Sequence, residues 1–127
     1  LPSDVLPWLS CRIIVIALAG SMMAPACAVA HAILEQSEPP VGSSVPVGKV
    51  TMSFIYNSRV DRARSRLVLT RPDNTQTVLR INPSGAPNVI NSGIELTAPG
   101  SYVVRWQVLA IDGHITRGDV PFTVTGQ

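Results

Sequence analysis

Two stretches of the chain alternate between apolar and polar positions. In residues 50–56, Val50, Met52, Phe54 and Tyr56 share one face. In residues 101–110, Tyr102, Val104, Trp106, Val108 and Ala110 lie on one face, with Arg105 and Gln107 on the other. A period of two is the pattern of a β-strand with one buried side. Shorter runs at 66–70, 75–81, 93–97 and 120–125 predict further strands. Turn-forming clusters separate them: Pro39-Pro40, Arg71-Pro72-Asp73-Asn74, Asn82-Pro83-Ser84-Gly85 and Ala98-Pro99-Gly100. Eleven prolines and nine glycines interrupt the chain too often for long helices. Residues 58–65 are the one segment offering a helical turn, and a helix there would make the fold mixed α+β. Short strands at this spacing predict an all-β fold, a small antiparallel Greek-key sandwich or barrel.

The first thirty residues do not share this pattern. Before His31 the only charged side chains are Asp4 and Arg12. The apolar run from Ile13 to Met23 follows Arg12 and is too short to cross a bilayer, which takes about 20 apolar residues. It matches the central region of a secretory signal, and Ala28-Val29-Ala30 has the A-x-A form cut by signal peptidase. Residues 1–30 are therefore predicted to be a signal peptide, cleaved before His31. Residues 31–127 are then the mature domain, exported to an oxidising compartment. A buried core helix or a retained anchor is the plainer alternative. A second competitor is Ala24-Pro25-Ala26-Cys27, a loose lipobox that would lipidate Cys27; Ala24 stands where Leu is favoured, and Pro25 suits the motif poorly. Cys11 and Cys27 both lie in the leader, so the mature domain has no thiol and must hold together by packing alone.

Composition narrows the function. The 127 residues suffice for one domain. With 46% hydrophobic and 14% charged residues, the chain is not of the disordered type. A net charge of +2 is too small for a strongly basic nucleic-acid binder. The dinucleotide fingerprint, the P-loop and a CxxC pair are absent.

What remains is a possible metal chemistry built on two histidines, His31 and His114. Cleavage before His31 would create a terminal amine, with a reference pKa of about 7.7–8.0, beside an imidazole of about 6.5. Both shed their protons readily near neutrality. The amine nitrogen and Nδ1 of one residue can close a six-membered chelate ring, which an internal histidine with its amide nitrogen cannot do. A second imidazole completes the three-nitrogen set called a histidine brace, and tetragonal nitrogen ligation favours Cu(II). Asp112 and His114 flank Gly113 after the long strand. Residues i and i+2 project to one side of extended backbone, and glycine permits a bend between them. Taken singly, an Asp-x-His triplet is ordinary turn sequence and a terminal histidine is ordinarily solvated. Their combination predicts one Cu(II) per chain, held by His31, Asp112 and His114.

Two segments also resemble a known family. His31-Ala32-Ile33-Leu34, followed by Ser37-Glu38-Pro39-Pro40-Val41-Gly42-Ser43, is similar to the opening of the CopC copper-resistance proteins. Trp106 and Val108, then Asp112-Gly113-His114, Gly118 and Phe122-Thr123-Val124, resemble that family's closing segment. The likeness spans essentially the whole mature domain. It implies a small cupredoxin-like or Ig-like Greek-key fold in the periplasm, with Cu(II) ligated by His31, Asp112 and His114. It also implies a role in copper uptake or tolerance with an inner-membrane CopD-like transporter as partner. Some members carry a methionine-rich loop for Cu(I), a pairing favoured by soft thioethers. Here Met22 and Met23 fall in the leader and only Met52 remains, in an alternating strand where it reads as core filler, so a Cu(II)-only protein is expected.

Other features have plainer readings. Arg59, Arg62, Arg64, Arg66 and Arg71, relieved by Asp61, read as a solvated edge strand protected by charge, in preference to a dock for an acidic partner or anionic lipid. Trp106 reads as core rather than as a shield for the metal. Glu35 and Glu38 are near His31 in sequence, where they could orient it or attract cations. No Ser-His-Asp set can be assembled without a histidine already assigned to copper. The expectation is therefore a monomeric carrier or buffer of Cu(II) rather than an enzyme. Its rivals are a copper monooxygenase acting on polysaccharides and a metal-free interaction sandwich.

Overall fold

The computed structural model describes residues 31–126. Residues 1–30, predicted from the sequence to be a signal peptide, lie outside the described residues, and with them Cys11, Cys27 and the A-x-A motif. Eight strands follow in order: β1 (Leu34–Glu38), β2 (Ser44–Pro46), β3 (Gly48–Tyr56), β4 (Val60–Thr70), β5 (Gln76–Leu79), β6 (Val89–Leu96), β7 (Gly100–Ala110) and β8 (Ile115–Thr125). They form a three-stranded sheet, β1-β3-β6, and a five-stranded sheet, β2-β8-β7-β4-β5. Only β4–β5 and β7–β8 are neighbours both in sequence and in a sheet, so the chain crosses repeatedly between layers. The fold is all-β, as the alternation requires. One pairing departs from the antiparallel expectation: β2 runs parallel to β8, with Val45 opposite Val124.

The inward faces are the apolar faces read from the sequence. Met52, Phe54 and Tyr56 of β3 meet Leu67 and Leu69 of β4 and Val104, Trp106 and Val108 of β7 in one buried cluster. Met52 is fully buried and fills core. Trp106 is core too, its ring centroid 5.3 Å from that of Tyr56 in an edge-on contact. Gly118 of β8 lies opposite Trp106 across the ladder. A β-carbon there would sit 2.7 Å from Trp106 Cε2, so the indole occupies the space a side chain would take.

Most of residues 58–65 is strand, which removes the mixed α+β alternative. The register of β4 against β7 slips between Asp61 and Arg66, a bulge. Inside it the Ser65 hydroxyl donates to the Asp61 carbonyl at 2.6 Å, and the Arg64 N–H to Asp61 Oδ1 at 3.3 Å. These contacts over three and four residues mimic a helical turn within a strand. β4 is not simply a solvated edge. Leu67–Thr70 lie between β5 and β7. The opening residues are instead covered by the 85–89 segment: the Val60 N–H donates to the Pro87 carbonyl at 3.0 Å. The Arg62 guanidinium donates to the carbonyls of Gly85, Ala86 and Val89. Arg62 is thus a staple between loop and strand.

Candidate metal centre

The β7–β8 connection is a tight hairpin turn. The Gly113 N–H donates to the Ala110 carbonyl at 2.9 Å, and the Ala110 N–H to the His114 carbonyl at 2.8 Å. Gly113 has φ +90°, a conformation that side-chain-bearing residues rarely adopt. A turn closed by a glycine at positive φ suits the right-handed twist of the two long strands. The extended-backbone argument for Asp112 and His114 therefore gives way to a turn. Asp112 Oδ1 accepts the His114 N–H at 3.0 Å, and Asp112 Oδ2 lies 3.0 Å from His114 Nδ1. One carboxylate thereby fixes both the backbone and the ring of the histidine.

His31 reaches this hairpin because the residues after it are pinned. Ala32 is fully buried. Its carbonyl accepts the Thr116 hydroxyl at 2.8 Å. Ile33 donates its N–H to Asn57 Oδ1 at 2.8 Å and accepts the Asn57 N–H at 3.0 Å. These bonds hold the start of the domain between the end of β3 and the start of β8. The rings of His31 and His114 come to a centroid distance of 4.7 Å, inclined at 72°. One donor atom from each of His31, Asp112 and His114 lies within 4.8 Å of the others, and all three residues are exposed. The structure thus brings together the three residues singled out in the sequence, while Glu35 and Glu38 are not part of the group.

Electrostatics favour a cation there. The Asp112 carboxyl is held below its ordinary range, chiefly by the His114 backbone N–H, against a smaller opposing effect of desolvation. It is anionic at neutral pH, beside two imidazoles. Two nitrogen donors and one anionic oxygen, open to solvent, form a set suited to a divalent transition ion. The backbone nitrogen of His31 is an amide while Ala30 precedes it and a potential ligand only after proteolysis. Thr116 and Asn57 escaped the sequence reading. Their bonds span 84 and 24 residues, and a threonine or asparagine carries no local sign of such a partner.

Comparisons with known proteins follow the same lines. A family model described as the CopC domain matches residues 34–125. Protein YobA of Escherichia coli K12 is 28% identical over 98 residues, covering 75% of this chain and 79% of YobA. YobA of Shigella flexneri matches to the same extent. Among solved structures, CopC from Methylosinus trichosporium OB3b superposes with a TM-score of 0.68 at 24% identity, covering 76% of this chain and 96% of that one. PcoC, a methionine-rich copper resistance protein from Escherichia coli, gives a TM-score of 0.62 at 22% identity, covering 76% of this chain and 100% of that one. At these identities both structures speak for the fold.

Proposed function

The chain belongs to the CopC family, and from that premise we propose that it is an exported Cu(II)-binding protein that carries or buffers copper without catalysing a reaction. The observation carrying this reading is the convergence of His31, Asp112 and His114, from opposite ends of the domain, with donor atoms within 4.8 Å of one another. Signal peptidase would cut before His31 in the periplasm and release its amine. His31 would then hold Cu(II) through amine and imidazole, His114 through imidazole and Asp112 through its carboxylate, giving one ion per chain. Copper is the cargo, and an exposed site allows it to be handed on. The receiver in this reading is an inner-membrane CopD-like transporter, and the carrier is a monomer.

Two further observations support the Cu(II)-only, non-enzymatic form. Met52, the sole methionine of the domain, is sealed in the core, where its thioether meets no solvent-borne ion. Phe54, Tyr56, Tyr102, Trp106 and Phe122 are all buried. The described surface therefore offers no aromatic face on which a polysaccharide could stack.

Copper titration of a chain beginning at His31 tests the proposal. One tight Cu(II) per chain is expected, with a nitrogen-rich tetragonal signature in electron paramagnetic resonance. A chain with one extra residue before His31 should bind orders of magnitude more weakly, because its backbone nitrogen is again an amide. Equal affinity in the two chains would overturn the brace.

A further inference from the structure

Among the described residues, five large apolar side chains are exposed, and three of them border the metal centre: Ile33 at 58%, Ile111 at 65% and Ile115 at 49%. Ile111 precedes Asp112, Ile115 follows His114, and Ile33 is two residues from His31. Their backbone is held in place. Ile33 is bonded on both sides to Asn57. Ile111 sits inside the turn closed between Ala110 and Gly113, and Ile115 opens β8 opposite Leu109. The neighbouring Ala32 and Ala110 take the inward positions, so alternation keeps Ile33 and Ile111 pointing outward. The three isoleucines thus stand exposed on the backbone-pinned segments that carry His31, Asp112 and His114.

The segments around the centre carry Arg59, Arg62 and Arg64 against Glu35, Asp61 and Asp112. Arg64 lines a groove with Ile111 and Gly113, beside the hairpin. A bound Cu(II) brings two positive charges and displaces the proton of the terminal amine, a net gain of about one charge at this end. Three isoleucines cover far less than the ~800 Å² per partner of a standard protein interface. Two loaded copies facing each other would also set like charges together. Exposed isoleucines beside a positive centre, flanked by arginines, instead match the headgroup boundary of an anionic bilayer.

Resting on the copper-carrier reading, we propose that this end of the molecule docks on anionic phospholipid when loaded with Cu(II) and releases when the ion is given up. The isoleucines enter the headgroup boundary, the exposed Arg59 and Arg64 meet lipid phosphates, and the ion's charge adds to the affinity. A membrane-bound acceptor would then be approached by loaded carrier in preference to spent carrier.

Vesicle co-sedimentation tests this. The chain beginning at His31 is mixed with phosphatidylcholine vesicles, with or without phosphatidylglycerol, and with or without one equivalent of Cu(II). At about 1 kcal/mol per charge near an anionic surface, one net charge raises partitioning about fivefold on loading. This gain should occur only on phosphatidylglycerol and should decline with salt. An Ile111→Ser/Ile115→Ser double variant should retain copper affinity and lose at least tenfold in partitioning. His114→Ala with the same copper should stay in the supernatant, showing that free copper does not bridge protein to lipid. Loaded protein that ignores phosphatidylglycerol, a double variant that binds like the parent, or copper-dependent self-association without lipid would each overturn the proposal. Intact copper binding without vesicle binding sinks the docking alone, whereas loss of copper binding sinks the carrier reading with it.

Discussion

The Thr116 hydroxyl donates to the Ala32 carbonyl at 2.8 Å, tying the start of the domain to the strand that leaves the metal-site hairpin. Neither residue belongs to the candidate centre, yet the bond, with the paired bonds between Asn57 and Ile33, sets how closely His31 approaches His114. The placement of His31 is thus a property of the sandwich rather than of its own segment.

Thr116→Val keeps the side chain's shape and removes the donor, leaving a carbonyl in a buried stretch without this partner. A loss of about 1–3 kcal/mol in folding stability is expected. Copper affinity should fall several-fold in the chain beginning at His31, with the stoichiometry still one. Urea denaturation and copper titration of the same preparation check both. Unchanged copper affinity would mean that this bond does not position His31.

Gly118 is flat against Trp106, with no room for even a methyl group. A β-carbon would approach Trp106 Cε2 to 2.7 Å and Nε1 to 2.9 Å. The indole is 7% exposed and packed on Tyr56, so it has little freedom to retreat. Gly118→Ala should cost about 1–3 kcal/mol through overpacking. Trp106 is the only tryptophan after residue 30, so its emission should shift in the variant. A melting temperature equal to the parent's would show that the indole can move aside.

Acid should remove one contribution selectively. Arg105 Nε donates to Asp119 Oδ1 at 2.9 Å, and this bond holds the Asp119 carboxyl below its ordinary range. A folded-state pKa below the unfolded value stabilises the fold above the ordinary carboxylate range, and that contribution is lost as pH falls through the folded-state value. The parent should therefore exceed Asp119→Asn in stability at neutral pH, and the gap should close in acid below that folded-state value. The pair is well exposed, so the gap is small. Paired urea titrations at the two pH values measure it, and a gap that persists in acid would exclude the ion pair as its source.

Most of the core was legible because burial follows side-chain alternation, which is local. Val50, Met52, Phe54 and Tyr56 in β3, and Tyr102 to Ala110 in β7, declare their inward faces without reference to any partner. β1 and β2 escaped notice for the complementary reason. The sequence of β1, LEQSE, has its buried position at Ser37, and β2 is three residues ending in proline. Both exist because neighbouring strands offer them backbone partners. The 58–65 segment shows no clean alternation because a bulge interrupts the strand there, with contacts three and four residues apart.

By itself, the sequence determined which side chains must leave water and where turns interrupt the strands, and it singled out His31, Asp112 and His114 as a candidate ligand set. These follow from side-chain chemistry and local periodicity. The tertiary structure alone decided that the two histidines come together, that Asp112 meets His114 through a turn rather than along a strand, and that Ile33, Ile111 and Ile115 stay exposed. Those relationships depend on strand order and on hydrogen bonds such as Thr116 to Ala32, whose partners are 84 residues apart. No local pattern encodes contacts of that range, because they form only once both sheets have closed around the core.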